Sequence, residues 1–110
     1  MEISEEIIFQ LITNAGAAKS DIFEAFRCCQ IGKYGEAEQL IESAGKCLLE
    51  AHKAQTNLIQ QEAAGESAVV GLLMVHAQDH LMTCILAKDI VTNMIAMQKE
   101  INDLKNKVNS

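Results

Sequence analysis

His76 and His80 stand one helical turn apart, with Gln78 and Asp79 between them, in the run Gly71-Leu72-Leu73-Met74-Val75-His76-Ala77-Gln78-Asp79-His80-Leu81-Met82. Every other member of that run except Gly71 is apolar. Polar groups set among Leu, Met and Val lose water on burial and must find a hydrogen bond, a counter-charge, a metal or a proton. Two imidazoles at i and i+4 lie on one helix face and can chelate one ion. Equally, a neutral imidazole whose second nitrogen is held by a partner is a phosphoryl acceptor near neutral pH. In that case a neighbouring His or Gln can donate to the phosphoryl oxygens. The metal reading lacks the intervening Glu of a metalloprotease helix, and His52 is the only other histidine. The plainest reading keeps both histidines as core or bundle-edge residues satisfied by hydrogen bonds. Spacing alone leaves these choices open.

The elements that must position these residues are helical. The 110-residue chain has no proline, six glycines and no tryptophan, and it is rich in the better helix formers. Its length suits one domain, taken as residues 1–110. Turn signals occur only at Gly32-Lys33-Tyr34-Gly35 and Ala63-Ala64-Gly65-Glu66-Ser67. Helices are therefore expected at about 4–31, 36–64 and 68–107. Ser4 reads as the first N-cap, with Ile3 and Ile8 placed as a staple and Glu5 and Glu6 in the first turn. Gly32 and Gly65 sit where left-handed caps would end the first two helices. In the first segment Ile8, Leu11 or Ile12, Ala15, Ala18, Ile22, Ala25 and Cys29 recur three or four apart. The second repeats this with Ala37, Leu40 or Ile41, Ala44, Leu48, Ala51 and Leu58. Short loops between long helices predict an all-α, antiparallel three-helix bundle.

The third segment carries a heptad seam through Val69, Leu73, His76, His80, Thr83, Ala87, Ile90, Met94, Met97, Ile101, Leu104 and Val108. Beside it runs a second stripe of Leu72, Val75, Asp79, Met82 and Leu86. Two apolar stripes need more covering than two neighbouring helices supply, so the bundle is expected to self-associate, with Asp79 near the interface. Converging carboxylates repel unless a cation or protons neutralise them.

A formal charge of −6 with scattered basic residues argues against nucleic-acid binding. The acidic N-terminus shows no signal-peptide pattern, and no uninterrupted apolar run approaches ~20 residues. The expectation is a cytoplasmic protein with no direct membrane insertion. Cys28, Cys29, Cys47 and Cys84 lack zinc-type spacing and read as reduced core side chains.

The block His76-Ala77-Gln78-Asp79-His80-Leu81-Met82-Thr83, followed by Lys88-Asp89, resembles the signature of the lactose/cellobiose-type enzyme IIA component of the bacterial sugar phosphotransferase system. Asn14-Ala15-Gly16-Ala17-Ala18-Lys19-Ser20 and Glu50-Ala51-His52-Lys53-Ala54-Gln55-Thr56 resemble two further blocks of that family, in the same order. The resemblance implies a homotrimer of three-helix bundles. It implies that His76 takes a phosphoryl group from the histidine phosphocarrier protein and passes it to a cysteine of the cognate IIB component during sugar uptake. It implies that Asp79 meets its symmetry mates on the trimer axis around one divalent cation, usually magnesium, and that Gln78 and His80 line the phosphoryl site. The phosphoryl-accepting cysteine belongs to IIB, so Cys47 and Cys84 are not assigned that role. His52 and Gln55 are expected to serve packing or a hydrogen bond, and Thr83 to bond back to the carbonyl of Asp79. Sugar choice lies in the membrane IIC component and is not written in this chain. The competing class is a non-enzymatic helical oligomeric adaptor with a structural metal site, which would tolerate Gln in place of His76.

Overall fold

The computed structural model describes residues 2–110. It contains three helices, α1 (Glu5–Gln30), α2 (Tyr34–Ala63) and α3 (Leu72–Asn109). α1 starts where local chemistry dictates. The Ser4 hydroxyl accepts from the Ile7 amide at 3.2 Å, and Ile3 packs on the cluster that contains Ile8. Both interhelical turns end their helices in the same way. Gly32 N–H donates to Cys29 O and Lys33 N–H to Cys28 O, with Gly32 at φ +81°. Gly65 N–H donates to Glu62 O and Glu66 N–H to Gln61 O, with Gly65 at φ +101°. These are Schellman caps, and a side chain at either glycine would be strained.

α3 begins four residues later than the apolar pattern suggests. Ala68 to Gly71 is extended, and Val69 forms an isolated parallel bridge with Glu2. Two adjacent β-branched residues favour that backbone over a first helical turn. The helix runs on to Asn109, two residues past its expected end.

Contacts between helices fix their order. Asp21 accepts from Ser43 at 2.9 Å and the Cys28 thiol reaches Glu36 at 3.8 Å, so later residues of α1 meet earlier residues of α2. Cys84 meets Ala15 and Asn102 meets Cys29, so α1 and α3 rise together. α1 packs on both of the others, and α2 and α3 touch least.

The core is built from small residues. Ile8, Leu11, Ala15, Ala18 and Ile22 of α1 meet Ala44, Leu48 and Ala51 of α2 and Met74, Ala77, Leu81, Cys84 and Val91 of α3. Ala25, Cys28, Cys29 and Ala37 form a second cluster at the first turn. Gly45 makes room for α3, since a Cβ there would lie 3.3 Å from Lys88 Cε.

The inward stripe of α3 is not the heptad seam read from the sequence. Leu73, Ile90, Met94, Met97, Ile101, Leu104 and Val108 are exposed, as are Leu72, Val75, Met82 and Leu86 of the second stripe. A third stripe, Met74, Ala77, Leu81, Cys84 and Val91, faces the other helices. Ala, Cys and a half-buried Lys make it less apolar than the stripes outside it, so periodicity ranked it below them. The molecule measures 64 × 21 × 20 Å, with both apolar stripes of its longest helix uncovered.

Candidate functional site

The site is assembled on the face of α3 between its exposed stripes and α1. His76 is exposed and His80 half-buried. Their rings stack with centroids 6.1 Å apart and planes inclined by 14°. Helical spacing alone places them one above the other. His80 lies beside α1: a Cβ built on Gly16 would meet His80 Nε2 at an ordinary contact distance of 3.8 Å. The run Ala15-Gly16-Ala17-Ala18 keeps side-chain bulk off α1 here. On the inner side, the Cys84 sulfur lies 3.9 Å from His80 Nδ1 and donates to Ala15 O at 3.4 Å. One imidazole is thus presented to solvent, and the other is braced beneath it.

Thr83 is turned back on its own helix, its hydroxyl reaching Asp79 O at 2.9 Å and His80 O at 3.1 Å, as its spacing suggests. Gln55 is buried and donates to Met82 Sδ at 3.4 Å, which is a packing role. His52 is exposed, so helix packing does not account for it.

Gln78 does not join the histidines within one chain. Two residues along a helix are roughly 160° apart around its axis, and Gln78 lies on the α2 side. There it lines a largely apolar groove of about 440 Å³ with Gln55, Leu58, Met74, Asp79 and Met82. Its Oε1 is enclosed with no hydrogen-bond partner.

Asp79 is exposed among the uncovered apolar side chains of α3, with Val75 and Met82 on either side. Among the described residues no group of three or more His, Cys, Asp or Glu comes together as a metal would require. Asp79 alone offers a divalent cation few of the oxygens it needs, since calcium takes six to eight and magnesium an octahedron.

The sequence did not single out the surroundings of His80, namely Cys84, Gly16 and the nearby Lys19. Burial pushes the Cys84 thiol above its ordinary value of 9.0, and the Lys19 ammonium opposes that shift. Cys84 is therefore a protonated thiol near neutral pH. The available signal was weak: one cysteine four residues after His80, on the same turn of the helix.

α3 is also long and apolar enough to cross a membrane by length and composition, although only 17% of its most apolar window is buried in the bundle. The same helix carries His76, Gln78, Asp79, Lys88 and Asp89 and packs on two helices whose outer faces are charged. Entry into a bilayer would desolvate those charged faces at a high cost.

A profile of the family described as the lactose/cellobiose-specific IIA subunit of the phosphotransferase system matches residues 6–99. The lactose-specific EIIA component of Staphylococcus epidermidis is 44% identical over 92 residues, covering 84% of this chain and 88% of that protein. The corresponding component of Streptococcus mutans is 42% identical over 91 residues, covering 83% and 88%. Among solved structures, the cellobiose-specific enzyme IIA of Bacillus anthracis superposes with a TM-score of 0.87 at 41% identity, covering 94% of each chain. A chain from the IIA(Chitobiose)–HPr complex of Escherichia coli gives a TM-score of 0.76 at 33% identity, covering 89% of this chain and 95% of that one. With a profile match over most of its length and relatives above 40% identity, the chain belongs to the lactose/cellobiose-specific IIA subunit family of the sugar phosphotransferase system.

Proposed function

We propose that this protein is a phosphocarrier that accepts a phosphoryl group on His76 from the histidine phosphocarrier protein and delivers it to a cysteine of a IIB component. The supporting observation is the pair itself: an exposed imidazole stacked on a second, braced one. In the first step the P–N bond of the donor phosphohistidine breaks as a P–N bond to His76 forms. In the second that bond breaks as a P–S bond forms on the IIB thiolate. Such transfers ask mainly for in-line placement and charge stabilisation, and a shallow site on a helix face is open to two partners in turn. The relative solved with HPr supports the first of those partners. The place of work is the cytoplasm.

His80 is assigned as a supporting group lining the phosphoryl site. The assembly is a homotrimer that covers the exposed stripes of α3. Three Asp79 carboxylates would hold one divalent cation there, magnesium by its preference for carboxylate oxygen. Gln78 lies across the apolar stripe from His76, so its supporting contact to a phosphoryl group comes from a second copy.

The test is to incubate the protein with phosphoenolpyruvate, enzyme I and the histidine phosphocarrier protein, and to follow intact mass beside a His76→Gln variant. One acid-labile phosphoryl group on the wild type and none on a folded variant is the expected result. No gain on the folded wild type would overturn the assignment.

A further inference from the structure

Cys84 is a buried thiol that the phosphocarrier reading leaves without a task. Its sulfur stands between two polar atoms, Ala15 O on α1 at 3.4 Å and His80 Nδ1 one turn earlier on α3 at 3.9 Å. A thiol has one proton and offers sulfur lone pairs besides. The carbonyl oxygen is both the nearer and the stronger acceptor, and it has a lone pair to spare beyond its helical bond. The S–H therefore goes to Ala15 O, and the sulfur turns its lone pairs toward His80.

We propose that Cys84 is a positioning residue that fixes the tautomer and orientation of His80, accepting a hydrogen bond from Nδ1–H and leaving Nε2 without a proton. On the other side of the ring Nε2 faces Gly16 of α1, where even a Cβ would come no nearer than an ordinary contact of 3.8 Å. The protonated thiol makes both bonds at once, giving its proton to Ala15 O and accepting one from Nδ1. Burial, the larger influence, outweighs the nearby Lys19 and keeps it so. This assignment rests on the phosphocarrier reading for its purpose, though not for its geometry. A phosphoryl group on His76 brings negative charge beside the stacked ring. The hydrogen bond to the sulfur holds the His80 ring in its stacked orientation beside that charge. With the proton on Nε2 instead, the neutral ring would present a bare Nδ1 to a thiol committed elsewhere.

The experiment is a long-range ¹H–¹⁵N correlation spectrum of the imidazoles in the intact wild-type protein, at a pH where His80 is neutral. His76→Gln and His80→Gln variants supply the assignment. The expected signature is a protonated Nδ1 and an unprotonated Nε2 for His80. Cys84→Ala should move the proton to Nε2, and Cys84→Ser, which keeps a donor and an acceptor, should restore Nδ1–H. Phosphoryl uptake by His76 should slow roughly 2- to 10-fold in Cys84→Ala and recover in Cys84→Ser, the range expected for one neutral hydrogen bond. An Nε2–H tautomer in the wild type overturns the proposal without recourse to any variant that fails to fold. So does an unchanged tautomer in folded Cys84→Ala. If the wild type shows Nδ1–H but never takes up a phosphoryl group, the tautomer assignment stands and the phosphocarrier reading falls.

Discussion

Cys28, Cys29 and Cys84 are buried, and each thiol is raised above its ordinary value of 9.0, chiefly by burial. Glu24 and Glu36 add to the shift at Cys28, whereas Lys99 opposes it at Cys29. A group whose folded-state pKa is raised contributes stability that is whole below the unfolded value and is lost as pH rises through the folded one. Urea midpoints should therefore hold steady up to about pH 9 and fall above it. Cys29→Ala should flatten that fall, at the cost of a lower midpoint throughout. A fall of equal steepness in Cys29→Ala would show that other groups govern the alkaline limb. What was legible at this scale was residue type and spacing. His76 and His80 share a face because 3.6 residues make a turn, and that holds in any helix. Gln78 lies two residues from each histidine and so points to the opposite side of the helix, which makes its place in the site a matter between copies rather than within one chain.

Helix α1 was legible residue by residue because its apolar side chains fall on one face and charged ones on the other. α3 was not, because apolar residues cover most of its circumference and the buried stripe is the poorest in them. Nothing in one chain's periodicity says which of three stripes meets its own bundle. The contacts that settle it are polar. Asn102 Nδ2 donates to Cys29 O at 3.0 Å and to Tyr34 OH at 2.8 Å, and Lys99 lies over the Tyr34 ring. These pin the far end of α3 to the first turn, and beyond Asn102 every residue is exposed. Asn102→Ala should cost about 1–2 kcal/mol and act locally. Amide exchange should quicken from about Lys99 to Asn109 while residues near Leu81 keep their protection. A uniform loss of protection along α3 would mean that Asn102 supports the whole bundle rather than its end.

The molecule as a whole carries an imbalance that one chain cannot resolve. Leu72, Val75, Met82, Leu86 and Ile90 form a continuous exposed surface on α3, with Asp79 set within it. Uncovered apolar area of this extent marks an interface. In the proposed trimer, three copies would bury the stripe and bring three carboxylates together, where each would lose water and repel the others. A shared divalent cation would offset that repulsion, so removing the cation should weaken the proposed assembly. Asp79→Leu removes both the repulsion and the need for the ion. Replacing buried ionic groups with apolar ones of similar size is often neutral or stabilising by roughly 1–4 kcal/mol. Sedimentation equilibrium in a chelator should then show Asp79→Leu dissociating at lower concentration than the wild type, and the variant should still take up a phosphoryl group on His76. Val75→Glu with Met82→Glu should give monomers under the same conditions, because it adds charge to the surface that assembly must bury. A wild type that sediments as a monomer with or without divalent ions would remove the trimer and its shared ion together. An intact Asp79→Leu trimer that no longer takes up phosphoryl would move Asp79 from the assembly into the transfer site.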